Sequence, residues 1–274
     1  MVGFRPSRRW LQFSLRTLLI VMTLTGATLG WIASERQKAA KQQEAVEGFQ
    51  AEERLWASGI NETDLTTGAK AIHASAEITF DPRATPRPEW LRLVLGNETF
   101  GTAQKIKFSS ADDTGLAPVV HLTNTREIYL YGTSVGDAGM HYLASLPKLE
   151  VLLLGGTRVG DAGVTRLEKA TSLKMLFLTN TRTGDVGLAH LSKLPSLENL
   201  YLSDTLISDA GLQHLSRLEK LKELELKNTN VTDAGLVHLR TLGRLSKLDL
   251  RDTKVTDVGV RELKKALPDL WIGR

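Results

Sequence analysis

An aspartate recurs every 24 residues through the second half of the chain. A carboxylate can bind a metal ion or act as an acid or base in catalysis. The six members are Asp137, Asp161, Asp185, Asp209, Asp233 and Asp257. Calcium binding or acid–base catalysis would need more than one oxygen-bearing side chain at each point. Each aspartate instead precedes an apolar helical pattern, where a carboxylate can accept hydrogen bonds from free backbone N–H groups. We therefore expect these aspartates to cap helices.

Histidines repeat with the same spacing, at His190, His214 and His238, and raise the question of a metal site. Other units carry tyrosine, arginine or glutamate at this position, which is typical of a solvated helix face. The sequence contains no cysteine and no evident Ser–His–Asp set, phosphate-binding glycine loop or metal-ligand cluster. We therefore predict a protein that is not an enzyme, with no catalytic residues, no metal and no cofactor.

The repeat that carries these residues is clearest over residues 221–242, LKELELKNTNVTDAGLVHLRTL, in which Leu221 is position 1. The leucines at positions 4 and 6 are two residues apart, so they point to one face of a strand. Those at positions 16 and 19 are three apart, which suits the inward face of a helix. Each unit is therefore predicted to form a strand, a tight turn and a helix, and none can bury its apolar face alone.

These residues resemble the leucine-rich repeat family, and the T-x-V-T-D-A-G-L segment is similar to a subtype in which ITDxGL follows the strand. The resemblance covers about residues 101–268, seven units of 24, so residues 101–274 would form the repeat domain with a C-terminal cap. It implies an α/β solenoid with parallel strands on a concave face and helices on a convex face. The threonine at position 9 would turn inward, its hydroxyl bonding the backbone of the turn that follows.

The N-terminal segment predicts a membrane anchor over residues 16–33. Residues 17–33 are uncharged, and four arginines but no acidic residue precede them. As a helix this run covers roughly 26 Å, close to a hydrocarbon core of about 30 Å. The positive-inside rule leaves residues 1–15 as a cytoplasmic tail and exports the rest. A cleaved signal peptide is the alternative, and it too places the repeats outside the cytoplasm.

Together, the anchor and the repeats resemble membrane-anchored bacterial leucine-rich repeat proteins. We therefore expect a single-pass protein of the inner membrane whose repeat domain lies on the periplasmic side. Residues 34–100 would connect the two parts, with a helical stalk from Ser34 to Gly59, a strand over residues 76–80 and a short helix after Pro88. This region is expected to cover the N-terminal end of the solenoid, because terminal repeats expose apolar faces.

The strand residues at positions 3, 5 and 7 lie between the inward leucines and would face the concave side. They are aromatic and apolar in the N-terminal half and charged in the C-terminal half. The predicted partner-binding residues are Tyr129, Tyr131, Val151, Leu153, Met175, Phe177 and Tyr201. A contiguous apolar patch indicates an interaction surface. Cross-strand pairing, or cover by the connecting region, would also account for these residues.

These features favour a non-catalytic, membrane-anchored scaffold for protein–protein interaction, whose partner is another protein or peptide. Recognition of an envelope carbohydrate is the second hypothesis, because an aromatic concave strip would serve that purpose too. The net charge of +4 is small and the repeats mix both signs, so we expect no nucleic-acid partner.

Overall fold

The structure is a computed structural model that describes residues 30–48, 74–80 and 103–274. Within these ranges nine strands form one sheet, and their order in the sheet follows the chain. The strands are β1 (Ala74–Phe80), β2 (Ala103–Ala111), β3 (Glu127–Tyr129), β4 (Val151–Leu153), β5 (Met175–Phe177), β6 (Asn199–Tyr201), β7 (Glu223–Glu225), β8 (Lys247–Asp249) and β9 (Trp271–Gly273). Strands β2 to β9 run parallel, and β1 pairs with β2 antiparallel. The predicted solenoid of parallel strands is confirmed.

The length of the repeat equals the step from one strand to the next. Leu152 pairs with Leu176 and Leu176 with Leu200, so equivalent positions 24 residues apart lie side by side. The step from β2 to β3 is shorter, because Lys105 pairs with Glu127, which is 127 − 105 = 22 residues. The first unit therefore joins the sheet without keeping the period of the others.

A short helix follows the strand in each repeat, as the sequence pattern predicts. The α-helices are α1 (which includes residues 30–48), α2 (Met140–Leu143), α3 (Asp161–Arg166), α4 (Asp185–Leu191), α5 (Asp209–Leu212), α6 (Asp233–Leu236) and α7 (Asp257–Ala266). Turns of 3-10 helix occur at Ala117–His121, Leu167–Lys169, Gln213–Arg217 and Val237–Leu239. Helices this short are marginal alone, so their stability comes from stacking on neighbouring repeats.

The core is a stack of leucines between the strands and the helices. We call the strand part of it the inner ladder, which consists of Ile128, Leu130, Leu152, Leu154, Leu176, Leu178, Leu200, Leu202, Leu224, Leu226, Leu248 and Leu250, all buried. Helix residues such as Leu188 and Leu191 are buried as well. Burying one such side chain contributes about 1.5–3 kcal/mol, so the inner ladder contributes strongly to stability.

The turn after each strand contains a residue in the left-handed backbone region at position 8. Their φ values lie between 51° and 72°, at Gly132, Gly156, Asn180, Asp204, Asn228 and Asp252. Glycine, asparagine and aspartate adopt this conformation with the least strain. These turns also stack on one another, since Asn228 Nδ2 donates a hydrogen bond to Asp204 Oδ1 at 2.8 Å.

The threonine at position 9 turns inward as predicted, but its hydroxyl bonds backward along the chain. Thr157 Oγ1 donates to the Leu154 carbonyl at 2.6 Å, and Thr205 Oγ1 donates to that of Leu202 at 2.5 Å. The same bond is made by Thr133, Thr181, Thr229 and Thr253. The expectation of a bond to the following turn is therefore wrong for this ladder, except that Thr253 Oγ1 also accepts from Val255 N at 3.4 Å. The left-handed residue folds the chain back, so the hydroxyl meets the carbonyl at the end of the strand.

Most of the predicted anchor lies outside the described residues, and so do the basic tail, the end of the stalk and the helix after Pro88. Residues 30–33 of the anchor are helical, and α1 runs through them without a break. The expectation that a helix starts at Ser34 is therefore wrong, because a residue inside a continuous helix has no free N–H groups to cap. Within the described ranges, no helix is both long and apolar enough to cross a membrane.

The strand predicted over residues 76–80 is present as β1, which also includes the two residues before it. Its backbone pairs with β2 from Ala74 to Phe80. The unpaired edge of a sheet exposes free N–H and carbonyl groups, which β1 satisfies here. β1 thus lies along the N-terminal edge of the parallel strands.

Candidate functional site

The strand face consists of the side chains at positions 3, 5 and 7, which alternate with the inner ladder. In β4, Leu152 is fully buried, whereas Val151 and Leu153 on either side of it are partly exposed. Strand pairing arranges equivalent positions in two columns. The predicted residues in these columns are Tyr129, Val151, Leu153, Met175, Phe177 and Tyr201, and Tyr131 lies in the turn just beyond β3.

At the N-terminal end of the strand face, Tyr129 is held by a carboxylate and an ammonium group. Its hydroxyl donates a hydrogen bond to Glu127 Oε2 at 2.9 Å. Lys105 Nζ lies 4.3 Å from the centroid of the Tyr129 ring and 3.8 Å from Glu127 Oε2. A cation over an aromatic face is attracted by the ring, so these contacts together orient Tyr129. Its hydroxyl group is already used within the protein.

Four apolar side chains occupy the centre of the strand face. We call them the apolar window, which consists of Val151, Leu153, Met175 and Phe177. Each is partly exposed, and the pairing of β4 with β5 places them side by side. Carbon and thioether groups offer apolar contact and almost no hydrogen bonding. The apolar window can therefore bind only something that is itself apolar over this area.

Phe177 stacks on the next aromatic residue of its column, Tyr201. The two ring centroids are 3.8 Å apart and the ring planes differ by 11°. Tyr201 is only 8% exposed, and its hydroxyl donates to Glu223 Oε2 at 3.0 Å. Burial and then the hydrogen bond to Glu223 raise the pKa of Tyr201 to about 12, so it remains a donor at neutral pH. Tyr201 is the most buried of the predicted residues, and it supports the Phe177 ring more than it presents its own.

The C-terminal half of the strand face is charged. Asp249 is 3% exposed and accepts hydrogen bonds from Arg251 Nε at 2.9 and 3.0 Å. These bonds hold the pKa of Asp249 below its ordinary value. Lys247 Nζ lies 3.5 Å from Glu223 Oε2. Glu225 lies directly beside Asp249 in the same column.

Tyr131 is 74% exposed and differs from the other predicted residues in lying over a turn. Its ring lies against Gly155, where an added methyl group would meet ring carbons at 2.9 Å. Beyond the ring, a shallow groove of about 640 Å³ follows the stacked turns. Its other lining residues are Thr179, Asn180, Asp204, Thr205, Leu206 and Asn228.

Our sequence reasoning missed these groove residues, although the sequence contains a signal for them. Position 8 holds only glycine, asparagine or aspartate, which predicts stacked turns with polar side chains. Leu206 is 64% exposed, and the same position in the other repeats holds serine, arginine, asparagine or lysine. A leucine in an otherwise polar column could therefore have been recognised as unusual.

We call the six repeating aspartates the aspartate ladder. The five from Asp137 to Asp233 each cap the helix of the following repeat, whereas Asp257, whose repeat is followed by no further helix in the described chain, contacts Arg274. Asp137 Oδ1 accepts hydrogen bonds from Gly160 N at 2.7 Å and Gly163 N at 2.9 Å, at the start of α3. Asp209 accepts from the Thr232 backbone N–H at 2.8 Å and from its hydroxyl at 2.6 Å. The expectation that each aspartate caps its own helix is wrong. Stacking brings the next helix onto the carboxylate, so these aspartates are used in folding.

The histidine ladder does not gather ligands for a metal. Among the described residues, no group of three or more His, Asp or Glu side chains could hold an ion. His190 Nδ1 contacts Glu168, which also accepts a hydrogen bond from Lys193 Nζ at 2.9 Å. The bonds from Lys193 and then His190 hold the pKa of Glu168 below its ordinary value. These contacts join the helix sides of neighbouring repeats.

Comparison with known proteins found similarity to other repeat proteins. A sequence profile of the family described as Leucine Rich repeat matches residues 217–239 and 245–264, and no curated protein matches the chain. A solved internalin C2 from Listeria monocytogenes is 26% identical with a TM-score of 0.49, over 65% of this chain and 76% of that one. Another internalin from the same organism is 19% identical with a TM-score of 0.38, over 58% and 56% respectively.

The profile match and the strand register describe the same unit. The matched residues include β7 and β8, and strands from β3 to β9 follow one another at the same 24-residue step. The central residue of each strand from β4 to β8 is a leucine, and isoleucine takes this position in β3 and β9. The chain therefore contains leucine-rich repeats that stack into an α/β solenoid.

Proposed function

We propose that the strand face is a docking surface for another protein or peptide, and that the chain is a non-catalytic interaction scaffold. The apolar window carries this proposal. The inner ladder already fills the core, and four more apolar side chains remain partly exposed on the opposite face, where a contiguous apolar patch is typical of an interaction surface. A partner that covers them would gain from removing that surface from water.

The surroundings of the apolar window support docking. Tyr129 on one side and Tyr201 on the other are held by hydrogen bonds to Glu127 and Glu223. Side chains that are already fixed lose little conformational freedom when a partner binds, which lowers the entropic cost of association. Tyrosine and methionine are also enriched at protein interfaces.

Three of the four carboxylates on the described strand face are engaged by neighbouring side chains, which favours binding over catalysis. Glu127, Glu223 and Asp249 accept hydrogen bonds from neighbouring tyrosine or arginine side chains. Carboxylates engaged in this way are poor candidates for acid–base work, which needs a group free to exchange its proton. The surface is also open along the strands, whereas active sites usually lie in clefts or cavities that enclose the substrate.

Photo-crosslinking in intact cells tests this function. We would replace Leu153 with a photoreactive amino acid, and Ser216 in the 3-10 helix Gln213–Arg217 as the matched control. We expect protein adducts from position 153 that are absent from position 216, that recur between experiments and that protease digestion removes. Identical adduct patterns from both positions would contradict a docking role for the strand face.

We also propose that residues 16–33 anchor the chain in the inner membrane, with the repeats on the periplasmic side. The uncharged run and the arginines before it support this proposal. In cell fractionation, we expect the full chain to stay in the membrane pellet after an alkaline carbonate wash, and the repeats to be digested by protease added to spheroplasts. Release of the full chain by carbonate would contradict the anchor.

Binding of an envelope carbohydrate is a second candidate, and the groove beside Tyr131 favours it. One exposed aromatic ring lies next to the amide and carboxylate groups of Asn180, Asp204 and Asn228. Sugars use an apolar ring face for stacking and polar groups for hydrogen bonds. A glycan array would test this site, and we expect Tyr131→Ala to remove any signal while Leu153→Ser retains it. The reverse result would assign the ligand to the apolar window.

A further inference from the structure

We propose that the docked partner is an extended segment with a lysine or arginine that pairs with Glu225. This basic residue would lie four positions from an apolar residue that covers the apolar window. The inference rests on the docking function proposed above and specifies the chemistry of the occupant.

Glu225 differs from the other carboxylates of the strand face. Within the described part of the chain, its carboxylate makes no hydrogen bond or ion pair. By contrast, Glu223 accepts from the Tyr201 hydroxyl at 3.0 Å, and Asp249 accepts from Arg251 at 2.9 Å. Glu225 lies between these two engaged groups and is itself partly buried.

Glu225 is not placed there by the requirements of folding. Burial raises its pKa, and repulsion from Asp249 and Glu223 adds to that effect. The longer-range attraction of Lys247 and Arg251 offsets it only in part. A partly buried carboxylate without a partner destabilises the fold. The same column tolerates uncharged residues at Leu153, Phe177 and Tyr201, so a neutral residue would serve the fold better here.

Docking over the apolar window would remove still more water from Glu225. An occupant with a neutral or acidic side chain at that point would leave the charge without solvent or partner. Lysine or arginine would instead donate a charge-assisted hydrogen bond, which is stronger than a neutral one. The electrostatics of the strand face therefore favour a basic residue in the partner.

Strand spacing fixes where that basic residue must lie. Leu153 is on β4 and Glu225 on β7, and three intervals of about 4.8 Å place them about 14 Å apart. An extended chain rises about 3.3 Å per residue, so side chains four positions apart on one side span about 13 Å. One extended segment can therefore place three side chains on this face, at every second position. The first is apolar and lies over Leu153, the second is apolar and lies over the Phe177–Tyr201 stack, and the third is basic and lies over Glu225.

Selection from random ten-residue peptides displayed on phage tests the inference. The baits would be the full chain in detergent and its Glu225→Gln variant. Leu153→Glu would disrupt the apolar window, and Glu219→Gln would serve as the matched carboxylate control, since Glu219 is exposed and lies away from the strand face. We expect the unaltered chain to enrich peptides with two alternating apolar residues followed, or preceded, by lysine or arginine at the next alternate position.

Binding of one enriched peptide by fluorescence anisotropy then separates the possibilities. We expect Kd to rise at least tenfold for Glu225→Gln and to stay unchanged for Glu219→Gln, with no loss of thermal stability in either. If Leu153→Glu abolishes binding but Glu225→Gln does not weaken it, the basic partner is wrong and the docking function stands. Binding that survives Leu153→Glu, or no enrichment by the unaltered chain, would overturn both.

Discussion

The inner ladder and the strand face are formed by the same strands, yet they vary very differently from repeat to repeat. The inward column holds leucine from β4 to β8, and each of these residues is fully buried. The outward column changes from Phe177 to Tyr201 to Glu225 over three neighbouring strands. Adjacent residues of one strand are therefore under opposite constraints.

The difference has a physical origin. An inward side chain must fill a space that repeats with the stack, and native interiors tolerate little change in volume. An outward side chain meets solvent or a partner, so its identity changes stability little. The outward residues can therefore determine what the protein binds. Comparing an inward residue with its outward neighbour in the same strand tests this contrast.

The largest effect is expected from truncating the inner ladder. Leu152→Ala should lower the free energy of unfolding by about 2–5 kcal/mol, because a fully buried leucine leaves a cavity. Its neighbour Leu153 is only partly buried, so Leu153→Ala should cost much less. Urea unfolding followed by circular dichroism measures both, and equal losses would contradict the contrast between the two faces.

A smaller effect is expected where the aspartate ladder meets the next helix. A methyl group at Gly187 would lie 2.7 Å from Asp161 Oδ1, which accepts the Gly187 N–H at 3.0 Å. Gly187→Ala should therefore lower stability by about 1–3 kcal/mol despite the better helix propensity of alanine. At Gly243 nothing lies within 4 Å, so Gly243→Ala is the control and should leave the unfolding midpoint nearly unchanged. A neutral Gly187→Ala would show that the carboxylate can move aside.

Each threonine at position 9 should contribute less to the free energy of unfolding than the glycines beside the aspartate ladder. Thr205→Val keeps the volume but removes the donor to the Leu202 carbonyl, and should cost about 1 kcal/mol. Thr205→Ser retains the hydroxyl, so it should recover part of the loss. Thermal unfolding of the three chains checks this order, and a valine variant as stable as the serine variant would remove the hydrogen bond as the explanation.

The smallest effect is expected for the charges at position 2. Glu150 contacts Arg126 and accepts from Lys174 Nζ at 2.8 Å, and the Lys174 bond is the main reason that its pKa lies below the ordinary value of 4.5. A lowered pKa stabilises the fold above about pH 4.5, and this contribution is lost as the pH falls through the folded-state pKa. Glu150→Gln should cost about 0.2–1 kcal/mol at pH 7 in low salt.

That cost should disappear under two conditions. Once the pH is below the folded-state pKa, the carboxylate is protonated in the unaltered chain as well, and in 1 M salt its attraction to the two cations is screened. Urea unfolding under the three conditions measures the difference between the two chains. A difference that stays constant would mean that Glu150 acts through packing and not through charge.

Much of the architecture could be predicted from particular residues. The two-residue spacing of Leu152 and Leu154 indicated inward strand positions, and the 24-residue period indicated which strands would be neighbours. The strand over residues 76–80 was predicted from its local pattern. These features depend on local spacing and on burial, which a sequence records directly.

Other features depended on contacts between repeats and could not be predicted in this way. Asp137 precedes its own helix in the chain, but stacking places its carboxylate at Gly160 of the next one. Tyr201 reads as an outward aromatic residue, but stacking on Phe177 and the bond to Glu223 bury it. In each case the partner is more than 20 residues away along the chain, and no local pattern identifies it.

The sequence by itself determined the repeating unit, the inward leucines and the order of the strands, because a fixed period in the chain becomes a fixed step in space. Only the tertiary structure decided which outward side chains have a partner and which do not. Whether a carboxylate such as Glu225 is paired depends on distances between side chains of neighbouring strands. Those distances exist only once the repeats have stacked.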